Sequence, residues 1–269
     1  MGPFYSASLG LSALRILMIG DIIGKPGRQA IKTLLPDLRQ ELSIDMVIAN
    51  GENTAGGFGI TLETAYELLD SGVDVLTSGN HIWDQREIIP HMDQGLPLIR
   101  PANYPNAPGR GYLFHNGVMV LNLMGRVFMP PLDCPFRTAE AILQEVKEAE
   151  NPRVIIVDFH AEATSEKQGL GWYLDGRVSA VLGTHTHVGT VDAKVLPGGT
   201  GYLTDVGMTG PINSVIGSGV DAVLDRFLTG MPQRLKVATG PVAMNSVLLD
   251  IDSESGRATG IQRVDRMVD

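Results

Sequence analysis

Gly-Thr-His-Thr-His-Val-Gly, residues 183–189, follows the apolar run Val-Ser-Ala-Val-Leu at 178–182. The apolar run predicts a short buried strand that ends at the glycine. If the segment after it is extended, the side chains of His185 and His187 point to the same side. Because imidazole is a common ligand of transition metals, the pair could bind one ion, or one ion each of a close pair. The alternative is that both histidines only form hydrogen bonds in a loop.

The composition limits the class of protein. The chain has 269 residues, of which 43% are hydrophobic and 19% charged, enough for a substantial core. A net charge of −9 argues against a broad nucleic-acid-binding face, but it is compatible with a small anion held by a local metal charge. The single cysteine, Cys134, permits no internal disulfide and suits a reducing compartment, so we expect a cytoplasmic protein. The sequence contains no run of 18 apolar residues, so we predict no membrane span.

The order of apolar runs predicts an α/β fold in which helices cross between parallel strands. Residues 1–13 are expected to be a disordered leader, and residues 14–269 a single domain. Segment 190–204 is expected to return antiparallel to the strand before it. The other predicted elements are strands at 14–19, 46–49, 73–77 and 154–157, helices at 26–41, 61–71, 138–150 and 163–172, a hairpin at 111–123 that turns at Asn116-Gly117, and a final hairpin at 245–264.

Residues of metal-binding type follow five of the predicted strands. In open α/β sheets, sites gather outside the carboxyl ends of strands, and this mixture of carboxylate, amide and imidazole suits Mn²⁺, Fe²⁺ or Zn²⁺. Each residue alone has a structural alternative, such as a helix cap, a turn or a hydrogen-bonded core histidine, but the joint pattern favours a metal centre. The residues are Asp21, Glu52 with Asn53, Asn80 with His81, His160, and His185 with His187.

The same motifs, in the same order, resemble those of the calcineurin-like metallophosphoesterases. Longer segments, including Asn-Gly-Glu-Asn-Thr-Ala-Gly-Gly at 50–57 and Asp-Phe-His-Ala-Glu-Ala-Thr at 158–164, are similar to the YmdB branch of that superfamily. The similarity extends from about Leu14 to the C-terminus. It implies a four-layer α/β/β/α sandwich with two divalent transition-metal ions, Fe or Mn first and Zn as an alternative. It also implies a phosphodiesterase that hydrolyses small phosphodiesters, 2′,3′-cyclic nucleotides among them, through a metal-bridging hydroxide.

The resemblance also implies a role for each residue. One metal would be bound by Asp21, His187 and a bridging Glu52, with Asn53 as a further ligand or a phosphate contact. The other would be bound by Glu52, Asn80, His160 and His185. His81 would not bind a metal, but it would contact the substrate as the general acid. The chain departs from the usual superfamily pattern at two points, because Asp21-Ile22-Ile23 replaces Asp-x-His and Glu52 replaces a bridging aspartate.

Several alternatives stay open on the sequence alone. His81 could simply hydrogen-bond Asp84, which is compatible with catalysis, and Asp158 and Asp205 could orient the histidines or serve only in turns. The chain could also be a metal-bearing regulator that binds a nucleotide or a protein with little turnover, or a phosphomonoesterase or nucleotidase. Substrate choice is expected to lie in loops 55–60, 101–111 and 208–219. A homo-oligomer is expected.

Overall fold

A computed structural model describes residues 13–268, so the predicted leader lies outside the described residues except for Ala13, which already belongs to the first strand. The helices are α1 Gly24–Glu41, α2 Leu62–Asp70, α3 Pro135–Ala149, α4 Thr164–Leu174 and α5 Val220–Thr229. The strands are β1 Ala13–Ile19, β2 Asp21–Ile22, β3 Met46–Asn50, β4 Val75–Thr77, β5 Tyr112–His115, β6 Val118–Met124, β7 Val154–His160, β8 Ala180–Thr184, β9 Lys194–Val195, β10 Gly201–Leu203, β11 Met208–Pro211, β12 Val242–Met244, β13 Ser246–Asp252, β14 Ala258–Arg263 and β15 Arg266–Val268.

The strands form two large sheets and one small sheet, so the mixed α/β class is confirmed. The first has the order β14-β13-β1-β3-β4, in which β1, β3 and β4 are parallel. The second has the order β5-β6-β7-β8-β10-β9, with β6, β7, β8 and β10 parallel. The third has the order β15-β12-β11-β2. The predicted antiparallel return is wrong in part, because β9 is antiparallel to β10 but β10 runs parallel to β8.

Alternating apolar residues place each large sheet between two hydrophobic clusters. In β1, Leu17 and Ile19 belong to a cluster that includes residues of α1 and α2, whereas Ile16 and Met18 belong to a second cluster shared with the other large sheet. A third cluster joins the second sheet to α3 and α4. Because both of its faces are covered, β6 is buried along its whole length. Buried parallel strands of this kind have nearly continuous apolar sequences.

Local sequence signals account for several boundaries. Thr61 caps α2 as predicted, since its side chain accepts a hydrogen bond from the backbone N–H of Thr64 at 3.2 Å. Asn116 and Gly117 both have positive φ, which is the conformation of the tight turn predicted between β5 and β6. β8 runs two residues past the predicted end and includes Gly183 and Thr184. Within residues 13–268, none of the helices is long and apolar enough to cross a membrane.

Candidate metal centre

The carboxyl ends of the central parallel strands bring the sequence-predicted residues together. Asp21 begins β2 directly after β1, and Glu52 and Asn53 follow β3. Asn80 and His81 follow β4, His160 is the last residue of β7, and His185 and His187 follow β8. Gly79 leaves room for this convergence, because a Cβ atom there would overlap the His160 ring. The residues form two neighbouring groups. The first ligand group is Asp21, Asn53 and His187, and the second is Glu52, Asn80, His160 and His185.

The second ligand group consists of Glu52, Asn80, His160 and His185, with His160 at its centre. Nε2 of His160 lies 3.1 Å from Glu52 Oε1, 3.0 Å from Asn80 Oδ1 and 3.0 Å from His185 Nδ1. Single ligand atoms of Glu52, His160 and His185 all lie within 4.8 Å of one another. Metal–ligand distances of about 2.1 Å place two ligands at right angles about 3.0 Å apart. The spacing therefore fits one transition-metal ion.

Hydrogen bonds determine which nitrogen of His160 faces the group. Nδ1 of His160 lies 3.0 Å from Thr184 Oγ1, whose own hydroxyl donates to Asp158 Oδ1 at 2.7 Å. Since the hydroxyl proton is committed to Asp158, Thr184 accepts the Nδ1 proton, and Nε2 is the nitrogen that faces Glu52 and Asn80. Nε2 carries the second proton of the charged ring, and without that proton its lone pair would bind a metal. Burial raises the pKa of the Asp158 carboxyl to about 6, despite the lowering effects of His160 and Thr77. Asp158 is therefore ionised at neutral pH and can accept these bonds.

His185 presents its other nitrogen. Its Nε2 lies 3.2 Å from Glu162 Oε2, so a proton on Nε2 leaves Nδ1 free to face His160. Burial, reinforced by the charge of His160, lowers the pKa of His185 to about 3, so that its ring is neutral at physiological pH. The pKa of His160 is raised, because Glu52 and Asp21 outweigh the effect of burial. The group thus favours a positive charge between the carboxylate and the two rings, which a proton or a metal ion can supply.

The first ligand group consists of Asp21, Asn53 and His187. His187 Nδ1 donates to the Ile216 carbonyl at 2.9 Å, and its Nε2 lies 3.7 Å from Asp21 Oδ1 and 3.3 Å from Asn53 Nδ2. Among the described residues, Asp21 Oδ1 is fully buried without a hydrogen-bond partner. A buried carboxylate oxygen of this kind is costly unless a cation satisfies it. The chemistry of the group therefore fits a metal ion.

The two pKa shifts in this group have a common cause. Burial would raise the pKa of Asp21, but the close approach of His187 and the charges of His187 and His160 hold the pKa well below its usual range. Burial would lower the pKa of His187, but Asp21 raises it to about 9. Asp21 is thus ionised and attracts a cation, and His187 carries a proton that a metal would displace.

Glu52 lies between the two groups. Its Oε1 faces His160 at 3.1 Å and accepts from Asn53 Nδ2 at 3.4 Å, while its Oε2 accepts the backbone N–H of His81 at 2.9 Å. The side chain is fully buried, and its pKa is lowered because the charge and hydrogen bond of His160 outweigh burial. Oε1 is therefore the atom placed to serve both groups. That Glu52 bridges two metals stays a prediction.

His81 has the partner anticipated for it. Its Nδ1 lies 2.7 Å from Asp84 Oδ2, which orients the ring, and the Phe58 ring packs edge-on against it with centroids 5.1 Å apart. The backbone N–H of His81 is held by Glu52. The imidazole is partly exposed and lines the cavity described below, so it can reach a bound molecule.

Asp205 acts on the backbone between the two loop histidines. It accepts from the backbone N–H and the hydroxyl of Thr186 at 3.2 and 2.8 Å, and it forms a buried ion pair of 2.5 Å with Lys167 of α4. Asp205 thus positions the loop, whereas Asp158 orients His160 through Thr184. The sequence offered a weak signal for Lys167, a lysine on the apolar side of a predicted helix. It offered none for Thr184, which is typical of a strand.

The segment that carries the two histidines is not extended, and this corrects a prediction. His185 and His187 have φ values of 99° and 64°, and Ile216 opposite them has a φ of 47°. Positive φ is strained for residues other than glycine, above all for a β-branched one, and such strain concentrates at functional sites. The turn directs His185 to His160 and His187 to Asp21, so one histidine serves each ligand group.

A cavity of about 550 Å³ opens over both groups. Its floor includes Glu52, Asn53, His81, His185 and His187, and its walls come from the glycine-rich loop 56–58 and from segment 215–237. Sequence reasoning missed most of the second wall. Loop 101–111 does not contribute to the lining of this cavity, so its part in substrate choice stays a prediction. Instead, the Arg100 guanidinium binds carbonyl oxygens of that loop.

Comparison with known proteins finds relatives along almost the whole chain. A family model described as YmdB-like protein matches residues 17–264. A Bacillus subtilis (strain 168) protein named 2′,3′-cyclic-nucleotide 2′-phosphodiesterase is 47% identical over 256 residues, which are 93% of this chain and 96% of that protein. The structure of a hypothetical protein from Thermus thermophilus has a TM-score of 0.88 at 45% identity and covers 94% of this chain and 99% of its own. The structure of a novel phosphatase from Mycoplasma pneumoniae has a TM-score of 0.89 at 31% identity and covers 96% and 94%.

Proposed function

Because this chain belongs to the YmdB-like protein family, we propose that it is a metal-dependent phosphodiesterase that hydrolyses small phosphodiesters such as 2′,3′-cyclic nucleotides. The observation that carries the proposal is the convergence of two buried carboxylates, Asp21 and Glu52, with three histidines beneath an open cavity. Glu52, His185 and His187 of this set line the cavity. For a 2′,3′-cyclic substrate, water would attack phosphorus, the bond from phosphorus to the 2′ oxygen would break, and that oxygen would take up a proton. The product would be a nucleoside 3′-phosphate.

Two divalent ions fit this chain. One would be held by Asp21, Asn53 and His187, the other by Asn80, His160 and His185, with Glu52 shared. When bound, the ions would supply a hydroxide nucleophile at neutral pH and would neutralise charge on the phosphoryl oxygens. The ligand set of carboxylates, amides and imidazoles favours Fe or Mn, with Zn as an alternative. Four positive charges exceed the two carboxylates, so the floor stays positive and attracts an anion within an acidic protein.

We propose that His81 is the general acid of the reaction. A general acid must reach the leaving oxygen, and the His81 ring is exposed to the cavity while its backbone is fixed beside Glu52. With Nδ1 turned to Asp84, Nε2 is the atom available to the substrate. A pure binding module has no need of such a group, so the pair of His81 and Asp84 favours an enzyme over a metal-bearing regulator.

The remaining proposals concern the whole chain. The three clusters support a four-layer α/β/β/α sandwich, in which the cluster shared by the two large sheets forms the centre. Pairing of β1 with β13 across most of the sequence supports a single domain. We further propose a homo-oligomer, and a reducing compartment such as the cytoplasm, in which Cys134 stays free.

The test is a substrate panel on protein reconstituted with Fe or Mn. It includes 2′,3′-cyclic AMP, 3′,5′-cyclic AMP, an aryl phosphodiester and an aryl phosphomonoester. We expect about two ions per chain by elemental analysis, hydrolysis of the 2′,3′-cyclic substrate, and loss of that hydrolysis in Glu52→Gln. Glu140→Gln serves as the matched control, because Glu140 is an exposed residue of α3 that does not line the cavity. A preference for the monoester would make the chain a phosphomonoesterase, and metal-loaded protein without turnover would make it a binding module.

A further inference from the structure

Phe58 stands beside the centre without a structural role that explains it. The side chain is 41% exposed, lines the cavity and packs edge-on against the His81 ring. Exposed aromatic rings cost solvation, and those next to a reactive group usually contact a ligand. The ring faces the same space as the imidazole that the proposed function assigns to the leaving oxygen.

The loop that carries Phe58 is built to present it. Gly56, Gly57 and Gly59 all have positive φ, so the backbone turns sharply on both sides of the phenylalanine. Two contacts close the loop: Ala55 N–H donates to the Gly59 carbonyl at 2.9 Å, and Gln85 Nε2 donates to the Phe58 carbonyl at 3.1 Å. Phe58 is thus held at the rim by its backbone, and its side chain remains 41% exposed.

The wall formed by segment 215–237 presents apolar side chains to the cavity, with Arg226 and Lys236 beside them. A Cβ atom at Gly57 would lie 2.9 Å from Val237 Cγ2, so Val237 packs directly on the glycine-rich loop. Ile216, whose strained backbone turns its carbonyl to His187, contributes a half-exposed side chain. Phe227 of α5 also lines the cavity and is 74% exposed. A flat apolar group between Phe58 and this wall would cover surface that is otherwise in water.

We propose that Phe58, with Ile216 and Val237 of the same cavity, forms a stacking subsite for the nucleobase of the substrate. This inference rests on the proposed function, because the phosphate must sit on the metal floor for the base to reach the rim. The floor and the apolar walls belong to one cavity of about 550 Å³, which lies within the ~300–1,000 Å³ typical of sites for small organic ligands. Stacking accepts any base, since every base has a π-face, so the subsite selects nucleotides over base-free phosphodiesters.

The test compares 2′,3′-cyclic AMP with the 2′,3′-cyclic phosphate of methyl riboside, which lacks the base. The quantity measured is the ratio of kcat/KM for the two substrates. Stacking on one aromatic ring predicts a ratio of roughly 5 to 150 for the unaltered protein. Phe58→Ala should reduce this ratio toward one and Phe58→Leu should reduce it in part, whereas Phe58→Trp should retain it. Because Phe58 touches His81, the ratio is decisive, since any general loss of activity cancels.

Phe128→Ala is the matched control, since this phenylalanine is 90% exposed and does not line the cavity. It should leave the ratio as in the unaltered protein. A ratio that Phe58→Ala does not change would overturn the subsite. So would a ratio near one in the unaltered protein.

A binding measurement separates failure of the subsite from failure of the proposed function. Calorimetry on the metal-loaded protein would use adenosine 3′-monophosphate and inorganic phosphate as probes. If neither cyclic substrate is hydrolysed but the nucleotide binds more tightly than phosphate, and Phe58→Ala removes that preference, the phosphodiesterase proposal fails and the subsite stands. If both cyclic substrates are hydrolysed without any preference for the base, the subsite proposal fails and the phosphodiesterase proposal stands. If neither probe binds, both proposals fail.

Discussion

Thr184→Val tests how the chain controls the nitrogen that His160 presents. The Thr184 hydroxyl accepts from His160 Nδ1 at 3.0 Å and donates to Asp158 at 2.7 Å. Valine has nearly the same shape but removes both hydrogen bonds. The Nδ1 proton then lacks its acceptor, while the Asn50 side-chain amide, 3.4 Å from Nδ1, is a ready donor. We expect the proton to move to Nε2, which is the nitrogen required for the metal.

The magnitude follows from these contacts. Loss of the partner that orients a metal-binding histidine typically weakens metal affinity by about 10–100-fold. A buried polar group left without a partner costs about 1–3 kcal/mol of folding stability. The tautomer change lets Asn50 satisfy Nδ1, but the buried Asp158 Oδ1 loses its donor, so the stability loss should lie within this range. The affinity loss should be large, because the lone pair itself is removed from the site.

The assay is competition with a chelator, followed by elemental analysis of the protein and thermal unfolding after metal removal. Thr184→Ser restores the hydroxyl and should recover affinity. Thr209→Val is the matched control, since the Thr209 hydroxyl is fully buried without a hydrogen-bond partner among residues 13–268. Its replacement should be neutral or stabilising. The reasoning is refuted if Thr184→Val retains metal as well as Thr209→Val does.

Further predictions concern the ligands and the assembly. Glu52→Gln should weaken the binding of both metal ions and abolish activity. If elemental analysis shows loss of only one ion, Glu52 does not bridge the two metals. His81→Ala should keep both metals and lower kcat by about 10²–10⁴, with a smaller loss on an aryl phosphodiester; loss of metal would instead make His81 a ligand. Metal binding should release a proton and strengthen from pH 6 to 9, because Asp21 raises the pKa of His187 to about 9 and the metal displaces that proton. Calorimetry in buffers of different ionisation enthalpy measures this release, and affinity that falls over the range would contradict it. Light scattering should show a homo-oligomer rather than a monomer at micromolar concentration.

The strand ends could be predicted because each apolar run stops at a glycine or a polar residue. Such runs fix where a parallel strand ends, and parallel strands share one ligand-bearing edge. The contact between Asp21 and the backbone of His185, 164 residues apart, follows from strand order in two different sheets, which spacing alone does not reveal. The resemblance paired Asp21 with the neighbouring His187, and the structure places His187 Nε2 3.7 Å from Asp21 Oδ1.

The second cavity wall could not be predicted, for a physical reason. Segment 206–241 holds one four-residue strand and one ten-residue helix in which only Val223 is buried. Periodicity detects elements that bury a face, and α5 buries almost none within the described chain. Val223 and Phe227 of α5 line the cavity, whereas Leu224 and Leu228 are exposed. In loop 101–111, Arg100 binds backbone carbonyls, a contact that the proline-rich sequence does not reveal.

The backbone at His185 and His187 differs from the extended segment that the sequence predicts. An extended His-Thr-His would place both rings on one side, where they could bind one ion or one ion each of a close pair. The chain instead strains both residues into positive φ and holds Thr186 between them with Asp205. That strain costs about 1–3 kcal/mol per residue, and the buried pair of Asp205 with Lys167 is what keeps the loop in place. The strained backbone directs one ring to His160 and the other to Asp21, and this divergence supports the proposal of two metal ions.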